Sequence, residues 1–250
     1  MKLACGIDIG GSGVKGALVD LTTGTYSGES VLIETPSPAT PDAVAQVCGQ
    51  VLETLGVTPE MPVGITFPAP IVHGRVPFMA NLDPSWAGID VVELMDRHLG
   101  RTIVALNDAD AAGLGEAIYG AARGVPGVVI VTTLGTGIGS AIINDGILLP
   151  NSELGHLEID GHDAETQASA GQKTAQNLDW VTWAGRLQRY YSHVEMLFSP
   201  DLFVIGGGVS ANHEKFLPLL NLRTPVVPAI LRNTAGIVGA AFEAARDSRA

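Results

Sequence analysis

Apolar residues along this chain fall into short runs separated by glycine-bearing turns, and the first runs already show a design. Leu3 to Ile9 is almost continuously apolar, broken only by Gly6 and Asp8, and enters a glycine stretch; Val14 to Leu21 is a second β-rich run, closed by Thr22-Thr23-Gly24-Thr25. That pattern predicts two strands joined by a glycine turn. It returns in mid-chain, where Val128 to Thr133 leads into Leu134-Gly135-Thr136-Gly137-Ile138-Gly139 and then Ser140 to Asn144. Shifted by 124 positions, Gly11-Ser12-Gly13-Val14 falls on Gly135-Thr136-Gly137-Ile138 and Ala17-Leu18-Val19-Asp20 on Ala141-Ile142-Ile143-Asn144, without a gap. Self-similarity at half the chain length predicts two domains of one design.

Between the hairpins, Pro41 to Leu55 reads as a helix with Asp42 near its start and Gly56 beyond its end, Met61 to Phe67 as a buried strand, and Ile89 to Leu99 as a helix. Thr102 to Leu106 predicts a strand ending at Asn107-Asp108, with a helix from Ala109 to Tyr119. In the second half, Val181, Ala184, Leu187, Tyr191, Val194 and Leu197 keep helical spacing over Asp179 to Phe198, and Leu202 to Ile205 is a strand entering Gly206-Gly207-Gly208. The small-residue segment Ala235 to Ala245 predicts a last helix that packs back on the first domain. Strands and helices alternate, so the fold class is α/β. With no low-complexity linker, the boundary is expected inside a compact body: residues 1–108 with the terminal 235–250 as one domain, 109–234 as the other.

Composition narrows the function. At 250 residues and 46% hydrophobic, the chain can bury real cores. No apolar run reaches the roughly 18 residues of a membrane helix, and Met1-Lys2 leads straight into a strand, so a cytoplasmic protein without a membrane partner is expected. Cys5 and Cys48 sit in no ligand or redox spacing and read as core thiols. A net charge of −12 repels nucleic acid unless the cations gather locally. Several fall late in the chain: Arg186, Arg189, Lys215, Arg223 and Arg232.

Gly11-Ser12-Gly13-Val14-Lys15-Gly16 matches the dinucleotide spacing GxGxxG, but that site needs a helix after the loop and a strand follows here. A glycine turn between strands instead presents successive backbone N–H groups, a nest for phosphate oxygens. Gly10 to Gly13, Gly135 to Gly137 and Gly207-Gly208 each offer one. Ser12 and Thr136 add hydroxyls, Lys15 adds a charge, and Asp8 at the strand end can hold magnesium, directly or through water. Asn107-Asp108 follows a buried strand, where α/β folds place their ligands, and a carboxylate there can take the proton of an attacking hydroxyl; the same pair also makes a good helix cap. Glu153-Leu154-Gly155-His156 adds a carboxylate and an imidazole. His156, Glu158 and His162 match no zinc spacing.

Together Asp8 to Gly16, Leu106-Asn107-Asp108, Leu134 to Gly139, Glu153 to His156 and Pro200 to Gly208 resemble the ordered motifs of the ROK family of sugar kinases and repressors. Asn81-Leu82-Asp83 with Trp86, His162 to Glu165, and Val227-Pro228-Ala229 resemble its polyphosphate-glucokinase branch. The resemblance implies two actin-like, ribonuclease-H-like domains around a central cleft, and transfer of a phosphoryl group from polyphosphate, and from ATP, to the 6-hydroxyl of glucose. It implies Asp108 as catalytic base; Asn81, Asn107, Glu153, His156 and Glu165 on the hexose; magnesium with the donor phosphates; and a homodimer. Two departures stand out. The family's cysteine-rich zinc motif is missing, so no zinc is expected, and Ala69 stands where a glycine is usual, at a cost of about 1 kcal/mol if that position needs positive φ. The alternatives are a strictly ATP-dependent kinase of mannose or an N-acetylhexosamine, and a sugar-sensing repressor, for which no helix-turn-helix precedes the first strand. A polyphosphate chain would need a basic strip, sought at Lys15, Arg186, Arg189, Lys215 and Arg232.

Overall fold

A computed structural model describes residues 2–79 and 82–247. Contacts divide the chain into two compact units, Met1–Gly115 with Thr234–Ala250, and Glu116–Asn233.

The first unit is built on strands β1 (Leu3–Ile9), β2 (Gly13–Asp20), β3 (Thr25–Tyr26) and β4 (Val31–Glu34), helix α1 (Pro41–Thr54), strand β5 (Val63–Phe67), helix α2 (Val91–Leu99), strand β6 (Val104–Asn107) and helix α3 (Asp108–Tyr119), which runs on into the second unit. The sheet runs β3-β2-β1-β5-β6, with β4 also on β2; β1, β5 and β6 are parallel while β1, β2, β3 and β4 pair antiparallel. Every side chain of β5 is buried, as expected of a strand flanked by parallel neighbours and covered on both faces. It starts at Val63 and not Met61, since Pro62 has no N–H to give the ladder. Likewise α2 begins after Asp90, whose carboxylate accepts from Glu93 N at 3.0 Å, so Ile89 and Asp90 lie outside the helix and Asp90 serves as its cap. Val44, Val51, Ile65, Phe67, Trp86 and Met95 form the core. Trp86 is part of it: its indole N–H donates to Ala39 O at 2.9 Å and its ring meets Phe67 edge-on.

The second unit continues with β7 (Val128–Leu134), β8 (Ile138–Asn144), β9 (Ile147–Leu149), the hairpin β10 (Glu158–Ile159) and β11 (His162–Asp163), helices α4 (Glu165–Ala168), α5 (Ala170–Ala175) and α6 (Trp180–Phe198), then β12 (Leu202–Gly206) and β13 (Val226–Pro228). Its sheet order is β13-β12-β7-β8-β9. Helix α6 starts one residue after Asp179, which caps it by accepting from Thr182 N at 2.7 Å. Its inward face puts Trp183, Leu187, Tyr190, Tyr191 and Val194 against Ile130, Phe203 and Phe216. Each such fully buried side chain contributes about 1.5–3 kcal/mol of transfer free energy. The chain then returns to the first unit as α7 (Ala235–Asp247), which lies on β1 and β5. Small residues allow that approach: a Cβ on Gly64 would stand 2.1 Å from Ala240 O.

Both units are of α/β type, each built round its own mixed sheet. The internal repeat needs a gap, however. In the first hairpin Ile9 pairs with Val14, leaving four turn residues; in the second Leu134 pairs with Ile138, leaving three. Thus β2 and β8 correspond at 124 positions and β1 and β7 at 125, and the ungapped alignment is off by one on the first strand. Glycines at both ends of each turn give similar letters in either register, which hides the insertion.

Candidate active site

In the first unit the parallel register sets the chemistry along one edge. Asp8 on β1 faces Thr66 on β5, and the next β5 residue, Phe67, faces Asn107 on β6, so Asp8, Thr66 and Asn107-Asp108 occupy the carboxyl ends of three adjacent strands. Thr66 Oγ1 donates to Asp8 Oδ1 at 2.6 Å. Burial raises the Asp8 pKa, against the pull of that hydrogen bond and of Lys15, its cross-strand partner. The Lys15 ammonium also sits 5.7 Å from the centroid of Tyr26, whose phenol is raised first by burial and then by Asp8. The turn that follows is braced from β4: Gly10 N donates to Gly13 O at 3.0 Å, and Thr35, just past β4, donates its hydroxyl to Gly10 O at 2.6 Å. Gly11 and Ser12 are exposed.

Asn107 is spoken for on one side. Its Oδ1 accepts from Ala109 N at 2.8 Å and Asp110 N at 3.1 Å, capping α3, which therefore begins at Asp108. Asp108 is half-buried and accepts from Ala109 N. Asn81 lies outside the described residues. Ala69 is buried and has no positive φ, so the alanine carries no backbone strain.

In the second unit the turn Gly135–Gly137, with Gly135 and Thr136 exposed, is closed by Gly135 N donating to Gly137 O. Glu165, the first residue of α4, presses on it: Oε2 accepts from Ile138 N at 2.9 Å, and a Cβ on Gly137 would lie 2.3 Å from that oxygen. Gly171 N donates to Gly135 O at 2.9 Å, so α5 holds the other side. Gly207, at φ 80°, packs on Leu134, where a side chain would strike backbone at 2.4 Å; β12 thus delivers Gly207-Gly208 beside the same turn.

Glu153, His156 and Glu165 gather around this turn. Glu153 is half-buried and its pKa is raised, mainly by burial, with Glu165 adding to the rise and His156 opposing it. His156 is exposed; its Nδ1–H donates to Asp163 Oδ2 at 2.8 Å, which raises the imidazole pKa. Among the described residues, the ligand atoms of His156, Asp163 and Glu165 lie within 4.8 Å of one another, a grouping that leaves out Glu158 and His162. Sequence reasoning missed Asp163 and Thr66. Asp160-Gly161, a two-residue turn at φ 55° and 78°, is a strong hairpin signal. It places Asp163 opposite Glu158. Thr66 left no such signal.

The expected basic strip is divided. Arg189 is bound to Asp160 through two bonds of 2.8 and 2.7 Å, and Arg186 donates to Gln167 O and Gln176 Oε1. Cys5 and Cys48 are buried thiols, pushed up to about 12 by burial. Among the described residues no helix is long and apolar enough to cross a membrane.

Residues 4–176 match the ROK family sequence pattern. The chain is 47% identical over 244 residues to the polyphosphate glucokinase of Mycobacterium tuberculosis (strain CDC 1551 / Oshkosh), covering 97% of this chain and 91% of that protein. It superposes with a TM-score of 0.94 and 55% identity on the inorganic polyphosphate/ATP-glucomannokinase of Arthrobacter sp. strain KM, covering 99% of this chain and all of that one. A ROK family glucokinase from Streptomyces griseus, solved with glucose and AMPPNP, shares the fold at a TM-score of 0.82 and 24% identity, over 98% of this chain and 99% of that one.

Proposed function

Because the chain belongs to the ROK family, we propose that it phosphorylates the 6-hydroxyl of glucose, with inorganic polyphosphate or ATP as donor. The observation that carries this reading is the second unit's turn, where Gly135 and Thr136 are exposed while the next N–H, of Ile138, is held by Glu165 from the segment that also bears Asp163, the partner of His156. Polyphosphate, the donor named in two of the relatives described above, accords with it.

In this mechanism Asp108 accepts the proton of the glucose 6-hydroxyl as that oxygen attacks the terminal phosphorus; the bond to the bridging oxygen breaks, and the donor leaves one phosphate shorter. Asn107 turns its amide N–H to the sugar, its oxygen being committed to the cap. Glu153, His156, Glu165 and Asn81 hold sugar hydroxyls. Gly10, Gly11, Ser12, Gly13 and Lys15 from the first unit, and Gly135, Thr136, Gly137, Gly207 and Gly208 from the second, hold donor oxygens. Asp8 fits magnesium: a hard carboxylate, desolvated yet fixed by Thr66, suits a cation kept through water. Held there, magnesium would supply charge neutralisation of the donor phosphates.

The test is glucose 6-phosphate formation with each donor, in the wild type and in Asp108→Asn. Turnover with both donors is expected, and the substitution should cut kcat by about 10²–10⁴-fold with little change in the glucose Kd. Absence of product with either donor refutes the activity; a variant within about threefold of wild type refutes the role of Asp108.

A further inference from the structure

One cationic feature of the second unit is left unused by this reaction. Trp180, half-buried at the start of α6, is stacked on Phe216 with an interplanar angle of 10° and a centroid separation of 6.0 Å. Two ammonium groups from different elements converge on its ring: Lys173 Nζ of α5 at 4.2 Å from the centroid and Lys215 Nζ at 5.3 Å. Lys173 Nζ is further fixed by donating to Leu178 O at 2.9 Å. Two like charges drawn to one indole repel each other. The ring quadrupole offsets part of that repulsion, and a polyanion would relieve the rest. The carboxylate nearest by its electrostatic effect, Asp179, feels Lys173 but spends an oxygen on capping α6; Glu214 beside Lys215 is exposed.

Both lysines are tied to the donor turn by short paths. Lys173 is two residues after Gly171, whose N–H holds Gly135 O. Lys215 ends the 3₁₀ segment Gly208–Lys215 that leaves from Gly207, packed on Leu134. We propose that Lys173 and Lys215, held on Trp180, bind phosphate units of a polyphosphate chain beyond the one being transferred, and so favour long chains as donors. The inference rests on the donor reading above. It replaces the strip through Arg186 and Arg189, whose guanidinium groups are already engaged. ATP has too few phosphates to gain much from the clamp, and a molecule of net charge −12 offers a long polyanion little attraction except at such close contacts.

The experiment compares kcat/KM for tripolyphosphate, long-chain polyphosphate and ATP, in wild type and in Lys173→Gln/Lys215→Gln, at low and high salt. Wild type should prefer long chains. The double variant should lose about tenfold or more of that preference, with its glucose Kd and its tripolyphosphate and ATP kinetics nearly unchanged. Lys173→Arg/Lys215→Arg should keep most of it. A long-chain preference that survives the double substitution overturns the clamp while leaving the donor reading intact, and so does an equal loss on all three donors. No turnover with any polyphosphate, alongside turnover with ATP, overturns both.

Discussion

The two glycine hairpins share one design and differ in what braces them. The first has four turn residues and carries its charges on the strands, Asp8 and Lys15, with Thr35 fastening the turn from β4. The second has three and places no charge on its strands; its brace is Glu165, a carboxylate that caps the N–H following the turn. The first turn is thus held by a neutral hydroxyl, whereas the second is held by a carboxylate from the segment that also bears His156's partner Asp163. Under the function proposed above, the two copies of the donor turn are unequal because one is bonded to the segment assigned to the sugar, and that contact would let glucose and donor influence each other.

Substitutions at the glycines of the second turn break this contrast most sharply. Gly137→Ala forces Glu165 off Ile138 N, and a displacement of that order in a positioning element costs about 10²-fold in kcat/KM. Gly135→Ala meets nothing within 4 Å and needs no positive φ, so its melting temperature should match wild type. Steady-state kinetics and thermal melts of the pair check both.

A milder change keeps the shape and removes the charge. In Glu165→Gln the amide oxygen can still accept from Ile138 N, but the contribution of Glu165 to the raised Glu153 pKa disappears. Glu153 should then stay ionised to lower pH, so the acid-side loss of glucose affinity shifts downward in calorimetric titrations from pH 4 to 7. In the first hairpin, Thr35→Val removes one hydrogen bond, worth about 1 kcal/mol, and should raise the donor KM without moving the glucose Kd.

The smallest expected effect concerns the His156–Asp163 pair. Its pKa is raised in the folded protein, so the pair stabilises fully below the ordinary imidazole value of 6.5 and loses that contribution as pH rises through the folded value. The pair is exposed, so screening keeps the effect small. Asp163→Asn should therefore lower the melting temperature more at pH 6 than at pH 9.

Much of this was legible in the sequence. Strands and helices of both units follow from apolar spacing, with errors at their ends where a proline or a capping aspartate decides the boundary, as at Pro62, Asp90 and Asp179. The glycine turns, Asp8 and Asn107-Asp108 were visible because strand ends and turn chemistry are local. The brace was not: Glu165 stands 27 positions from Ile138, on a four-residue helix with no periodic signal. The same holds for Arg189 with Asp160, a pairing made by tertiary structure that engages a cation the sequence alone places among the candidates for a basic strip.

The most direct test of the coupling through Glu165 is a double-mutant cycle of Thr136→Ala and Glu165→Ala, read as kcat/KM for glucose at saturating polyphosphate. If Glu165 sets the position from which Thr136 meets the donor, the double variant should lose less than the two single losses combined, by at least about 0.5 kcal/mol. Losses that simply add in free energy would contradict the account and leave the second hairpin as independent of the sugar segment as the first.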